Sequence, residues 1–114
     1  MIVDDEKVSR LAIAQMNSRV GDFLGNAQKI TSYIDQAKAK NCDIVSFPEL
    51  AVCGYPPEDL LFKKSFVKEN LESLEQIRNR TDQIIAIVGF VDNREGCLFN
   101  SAAVLANKKI VDIY

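Results

Sequence analysis

Nine consecutive residues, Gln83-Ile84-Ile85-Ala86-Ile87-Val88-Gly89-Phe90-Val91, form the most hydrophobic stretch of the chain. The run is far shorter than the roughly 20 residues a membrane span needs, and β-branched side chains dominate it, so it predicts a central strand. A sheet built on such a strand must be covered, and the sequence supplies the cover. After Gly21-Asp22, a plausible helix entry, Phe23, Ala27, Ile30, Ile34 and Ala37 recur at three- and four-residue steps, with polar residues between them. That spacing predicts an amphipathic helix, stopped at Asn41, a residue suited to the left-handed position behind a helix. Gly25, inside its first turns, costs about 1 kcal/mol of helix propensity.

The remaining elements come from the same periodicities. Val8 to Gln15 becomes apolar throughout and predicts a strand buried on both faces. Asp43 to Phe47 predicts a short strand, ended by Pro48, which has no N–H for a ladder. A second helix is expected from Glu58-Asp59 to about Arg80, because Pro57 suits a first turn and acids there oppose the helix dipole. Asp92 to Gly96 and Asn107-Lys108 are turns, with strands over Cys97–Ala106 and Lys109–Tyr114. The order β-α-β-α-β-β-β argues an α/β domain with helices layered on a sheet. The chain also stops inside a strand pattern, so an edge is expected to be covered by a partner or by further polypeptide.

Composition removes whole classes of chemistry. The 114 residues are 47% hydrophobic and 26% charged, the balance of an ordinary globular domain. Fourteen basic and sixteen acidic residues leave a formal charge of −2 with no basic cluster, so neither nucleic acid nor an anionic membrane is an expected partner. The acidic N-terminus lacks the pattern of a secretory signal. There is no histidine, which excludes imidazole bases and imidazole metal sites within the chain. Cys42, Cys53 and Cys97, odd in number and widely spaced, suit a reducing cytoplasm rather than a zinc site or a disulfide scaffold. Gly21 to Gly25 lacks the lysine of a phosphate-binding loop.

One segment carries chemistry: Phe47-Pro48-Glu49-Leu50-Ala51-Val52-Cys53-Gly54-Tyr55-Pro56-Pro57-Glu58-Asp59-Leu60-Leu61. Glu49 stands at the carboxyl end of a strand, where open α/β sheets place their ligands. Among Phe47, Leu50 and Val52 its carboxylate is expected to be partly desolvated, and so a usable proton acceptor near neutral pH. Gly54 permits a turn, and Pro56-Pro57 stiffens the chain beyond it. Pattern alone also allows a solvated loop glutamate, a packing role for Tyr55, and a small buried hydrophobe in Cys53. Asn100, ahead of small strand residues, reads as a backbone-bonding side chain.

The segment resembles the first catalytic block of the nitrilase (carbon–nitrogen hydrolase) superfamily: a strand, Pro-Glu-Leu, then a Gly-Tyr turn. The run Gly54 to Leu61 looks closer still to the N-terminal glutaminase domain of glutamine-dependent NAD synthetases. Leu11 to Asn17, Val20-Gly21-Asp22, Gly25-Asn26, Val88-Gly89-Phe90 and Asn100 to Val104 keep the order and spacing of that domain. The resemblance implies a nitrilase-like α-β-β-α sandwich, with residues 1–114 its N-terminal part. It also implies a Glu-Lys-Cys triad: a general base, a lysine that stabilises the tetrahedral intermediate, and a cysteine that forms a thioester with the glutamine acyl group. Glu49 matches the base and Tyr55 a residue lining the glutamine pocket. The family's lysine comes after the strand that ends here at Tyr114, and its cysteine lies further on. Lys108 and Lys109 precede that lysine position, and none of the three cysteines matches the nucleophile. The chain by itself is therefore expected to be inactive and to hold no metal or cofactor. ATP, Mg²⁺ and deamido-NAD are expected at a synthetase domain outside it, in a cytoplasmic homo-oligomer. The alternatives are another superfamily amidase acting on a small amide, or a non-catalytic module with the same fold.

Overall fold

The first helix starts where its cap is. The Asp22 carboxylate accepts the N–H of Gly25 at 3.0 Å, satisfying one of the donors a first turn leaves unpaired. A β-carbon on Gly25 would lie 2.2 Å from that carboxylate, so the glycine that weakens the helix also makes room for its cap. In the computed structural model, which describes residues 8–114, this helix (α1) spans Phe23–Ala39, and Asn41 behind it takes the expected left-handed φ of 58°. The acidic lead Met1 to Glu6 lies outside the described residues.

Five strands form one sheet: β1 (Leu11–Ile13), β2 (Ile44–Ser46), β3 (Ile85–Arg94), β4 (Cys97–Ala106) and β5 (Lys109–Ile113). Their order is sequential, with β1, β2 and β3 parallel and β3, β4 and β5 antiparallel. Both hairpins close through two residues of positive φ, Glu95-Gly96 (53° and 88°) and Asn107-Lys108 (53° and 62°). Turns of that hand match the twist of the strands they join.

The second helix (α2) spans Lys64–Arg78. Ile30 and Ile34 of α1, with Leu74 and Ile77 of α2, pack on Val45, Ala86, Val88, Phe90, Ala103 and Leu105 of the sheet. Each such side chain contributes roughly 1.5–3 kcal/mol by leaving water. Strand alternation sends Leu11, Ile13, Ile44, Ile85, Ile87 and Val104 to the opposite face, which no described helix covers.

Two expectations fail. The first strand is not buried on both faces: Leu11 is 59% and Ile13 71% exposed. It is an outer strand, and only Ala12 joins the helix-covered core. The helix expected from Glu58 is also two pieces, a 3-10 turn at Glu58–Phe62 and then α2, with Lys63 extended between them (φ −89°, ψ 119°). Leu60 and Leu61 pack against Leu50, Cys53, Phe66 and Val91, so the turn leaves the axis of α2 to cover the Glu49 loop. The α/β class and the element order hold; the described residues build one sheet with one helix layer. No described helix is long and apolar enough to cross a membrane.

Candidate active site

Glu49 comes just after the end of β2. Phe47 N–H donates to Ile87 O at 2.9 Å as the last parallel rung, and Pro48 cannot extend the ladder. Leu50 then takes φ 51° and the chain doubles back, Gly54 N–H donating to Leu50 O at 2.8 Å. The turn rests on β3 through Gly89: a β-carbon there would lie 2.5 Å from Leu50 N and 2.7 Å from Pro48 O. Only glycine allows that approach.

The loop is fastened from three sides. Three successive carbonyls, of Ala51, Val52 and Cys53, accept from Ser18 Oγ (2.8 Å), Asn26 Nδ2 (3.1 Å) and Gly21 N (2.9 Å). Fully buried Asn26 also pairs with the Arg19 backbone, accepting its N–H at 2.9 Å and donating to its carbonyl at 2.8 Å. Val52 N–H donates to Gly89 O at 3.1 Å. Beyond the end of β2, the buried Asn70 carboxamide of α2 takes over the pairing of β3, bonding Val91 N (3.1 Å) and Val91 O (2.6 Å). Both buried carboxamides in this frame, Asn26 and Asn70, are therefore bonded through oxygen and nitrogen alike, the condition under which such networks rigidify a site.

Leu50, Ala51 and Val52 turn inward, and Glu49 projects the other way, exposed. This corrects the expected desolvation: the apolar neighbours in sequence face the core rather than the carboxylate. Glu49 Oε1 instead accepts a hydrogen bond from Asn100 Nδ2 of β4. A carboxylate is only an acceptor, so the amide nitrogen must face it. Asn100 alternates with buried Ser101, which turns it to the face opposite the main core. The sequence alone reads Asn100 as bonding backbone; the structure gives it a carboxylate 51 residues away. The usable signal is the Glu95-Gly96 turn, which sets the register that carries Asn100 to Val91.

Tyr55 is next to Gly54, whose positive φ (90°) and closeness to the Arg19–Val20 backbone also require glycine. Its side chain is 62% exposed, and the Tyr55–Pro56 peptide is cis. Among the described residues no hydrogen bond joins Tyr55 to Glu49. Cys53 is fully buried, its Sγ 3.4 Å from Gly54 O, and burial pushes its thiol up to about 11. Such a thiol is inert at neutral pH. Cys97 is exposed at the hairpin end of β4 and Cys42 is half-buried. No three His, Cys, Asp or Glu side chains gather into a metal-binding group among the described residues.

Residues 10–114 match the carbon–nitrogen hydrolase family. The chain belongs to that family. Its relatives within the carbon–nitrogen hydrolases include the glutamine-dependent NAD(+) synthetase of Thermotoga maritima, 36% identical over 107 residues, which are 92% of this chain and 18% of that protein. The enzyme of the same name from Aquifex aeolicus is 41% identical over 106 residues, 91% of this chain and 18% of its own length. Among solved structures, the glutamine-dependent NAD+ synthetase of Acinetobacter baumannii superposes with a TM-score of 0.85 at 33% identity, covering 91% of this chain and 20% of that one. An amidase from Nesterenkonia sp. shares the fold at a TM-score of 0.78 and 18% identity, over 93% of this chain and 41% of its own. The chain thus spans about a fifth of the length of the synthetases it matches.

Proposed function

We propose that residues 1–114 are the first part of the glutamine-hydrolysing domain of a glutamine-dependent NAD(+) synthetase, and that Glu49 is its general base. The observation that carries this reading is the placement of Glu49: a carboxylate on a firmly bonded loop at a strand's carboxyl end, over an uncovered sheet face, in a chain 36–41% identical to such synthetases.

In this reading Glu49 takes the proton of a cysteine thiol supplied by polypeptide outside this chain. The sulfur bonds to the glutamine amide carbon, and a lysine, also from outside, balances charge on the oxygen of the tetrahedral intermediate. When that intermediate collapses, the C–N bond breaks and the departing nitrogen takes the proton from Glu49, leaving as ammonia. Glu49 then accepts a proton from water as the oxygen attacks the thioester, and glutamate and thiol are released. Tyr55 lines the glutamine pocket. The ammonia amidates ATP-activated deamido-NAD at a synthetase domain outside this chain, and Mg²⁺ belongs there with the ATP. The enzyme is cytoplasmic and homo-oligomeric in this reading, and unpaired cysteines are consistent with a reducing compartment.

Trapping the thioester tests it. The polypeptide that carries this chain together with the nucleophile, given glutamine and hydroxylamine, should release γ-glutamyl hydroxamate. No hydroxamate from glutamine, with capture from another small amide instead, would replace the reading with that of an amidase of the same fold.

A further inference from the structure

The triad accounts for Glu49 but not for the side chain that touches it. Asn100 is exposed, so burial does not require it to find a partner, yet its amide nitrogen meets Glu49 Oε1 rather than a backbone group. The two residues arrive from opposite directions: Glu49 from the loop after β2, and Asn100 from the middle of β4, in register with Val91. Both approaches are fixed. The loop is fastened at Ala51, Val52 and Cys53 and seated on Gly89. The β3 strand facing Asn100 is held at Val91 by Asn70. With both backbones anchored, the freedom that remains is rotation of the two side chains, which their mutual hydrogen bond restricts.

We propose that Asn100 is the positioning residue of the general base. It holds one carboxylate oxygen, Oε1, and thereby aims the other, Oε2, at the incoming proton. Among the described residues Glu49 has no ion pair, so this is the polar contact that orients it. The inference rests on the proposed role of Glu49 for its catalytic meaning but not for its geometry, and two measurements keep them apart.

The geometry is tested on the polypeptide carrying the complete triad, because the 114-residue chain alone is expected to associate through the face on which the two side chains meet. The side-chain NH₂ resonances of Asn100 should shift as Glu49 titrates, and that shift should vanish in Glu49→Gln. Asn100 resonances indifferent to Glu49 ionisation would overturn the proposal whatever the enzyme does. The catalytic part is tested on the polypeptide carrying the complete triad. Asn100→Ala should lower kcat for glutamine about ten- to a hundredfold, as loss of one hydrogen bond to a charged group implies, with KM changed less than about threefold. Asn100→Asp keeps the shape but has no donor and adds a like charge, so it should be impaired at least as much. A space-filling role would reverse that order, with Asp restoring activity that Ala loses, and would overturn the assignment. If Glu49→Gln abolishes glutamine turnover while both Asn100 variants match the wild type, the base stands and the positioning role falls.

Discussion

A thiol sealed from water ionises late, and Cys53 gives that rule a measurable consequence. Its folded-state value is raised from 9.0 to about 11, with burial the larger cause. The unfolded chain sheds this proton near pH 9 and the folded chain keeps it, so alkali favours unfolding. The stabilisation is therefore complete below pH 9 and is lost as pH rises from 9 through 11, by roughly 2–3 kcal/mol in all. Urea midpoints measured from pH 8 to 11 should fall more steeply for the wild type than for Cys53→Ala; parallel slopes would contradict the account. At neutral pH an alkylating reagent should label exposed Cys97 and leave Cys53 untouched. At this scale the sequence was legible wherever chemistry is local. Pro48 ending a strand, Asp22 capping a helix, Asn41 stopping one and Cys53 packing as a small hydrophobe each depend on near neighbours. The exposure of Glu49 and its partner Asn100 depend on which way a turn faces and on strand register, and no local pattern states either.

Between elements, the loop that carries Glu49 is held by the Ser18 hydroxyl, the Asn26 carboxamide of α1 and the backbone of Gly21 and Gly89. Asn26 makes three hydrogen bonds, two to Arg19 and one to Val52, and none of its polar atoms reaches water. Asn26→Ala strands buried donors and acceptors and should cost about 2–4 kcal/mol, read as a lower urea midpoint. Thr31 is the control: its hydroxyl only returns to the Ala27 and Gln28 carbonyls of its own helix, so Thr31→Ala should stay within about 0.5 kcal/mol. Equal losses at the two sites would show that Asn26 acts as an ordinary helix residue. The helices and strands were legible here from their 3.6- and 2-residue periods, β4 to its end residues. The break at Lys63 was not, because Pro57, Glu58 and Asp59 read as a good helix start, while the bend comes from Leu60 and Leu61 turning to cover Cys53 and Leu50.

At the scale of the whole molecule, the described residues build one finished face and one bare one. Helices cover Val45, Ala86, Val88 and Leu105, whereas Leu11, Ile13, Ile44, Ile85, Ile87 and Val104 lie on a face with no described cover. Apolar surface of that extent drives association. The 114-residue chain alone should scatter light as a species larger than its 12.7 kDa monomer, and Ile85→Lys with Ile87→Lys should shift it toward the monomer. A wild-type chain that stays monomeric at high concentration would contradict this. The α/β class was legible from element order, and the bare face followed from the resemblance, since half of an α-β-β-α sandwich leaves one sheet face uncovered. Periodicity alone did not show it, because the apolar run at β1 looks the same whether its second face meets a helix or another sheet. That bare face is also where Glu49 and Asn100 meet, so the site opens toward whatever covers it. On the proposed function, Glu49 serves glutamine hydrolysis and nothing downstream. The most direct measurement compares NAD(+) synthesis driven by glutamine with synthesis driven by free ammonia, in the polypeptide that contains this chain, before and after Glu49→Gln. Loss of the glutamine-driven rate with the ammonia-driven rate intact is the predicted result; undiminished use of glutamine would contradict it.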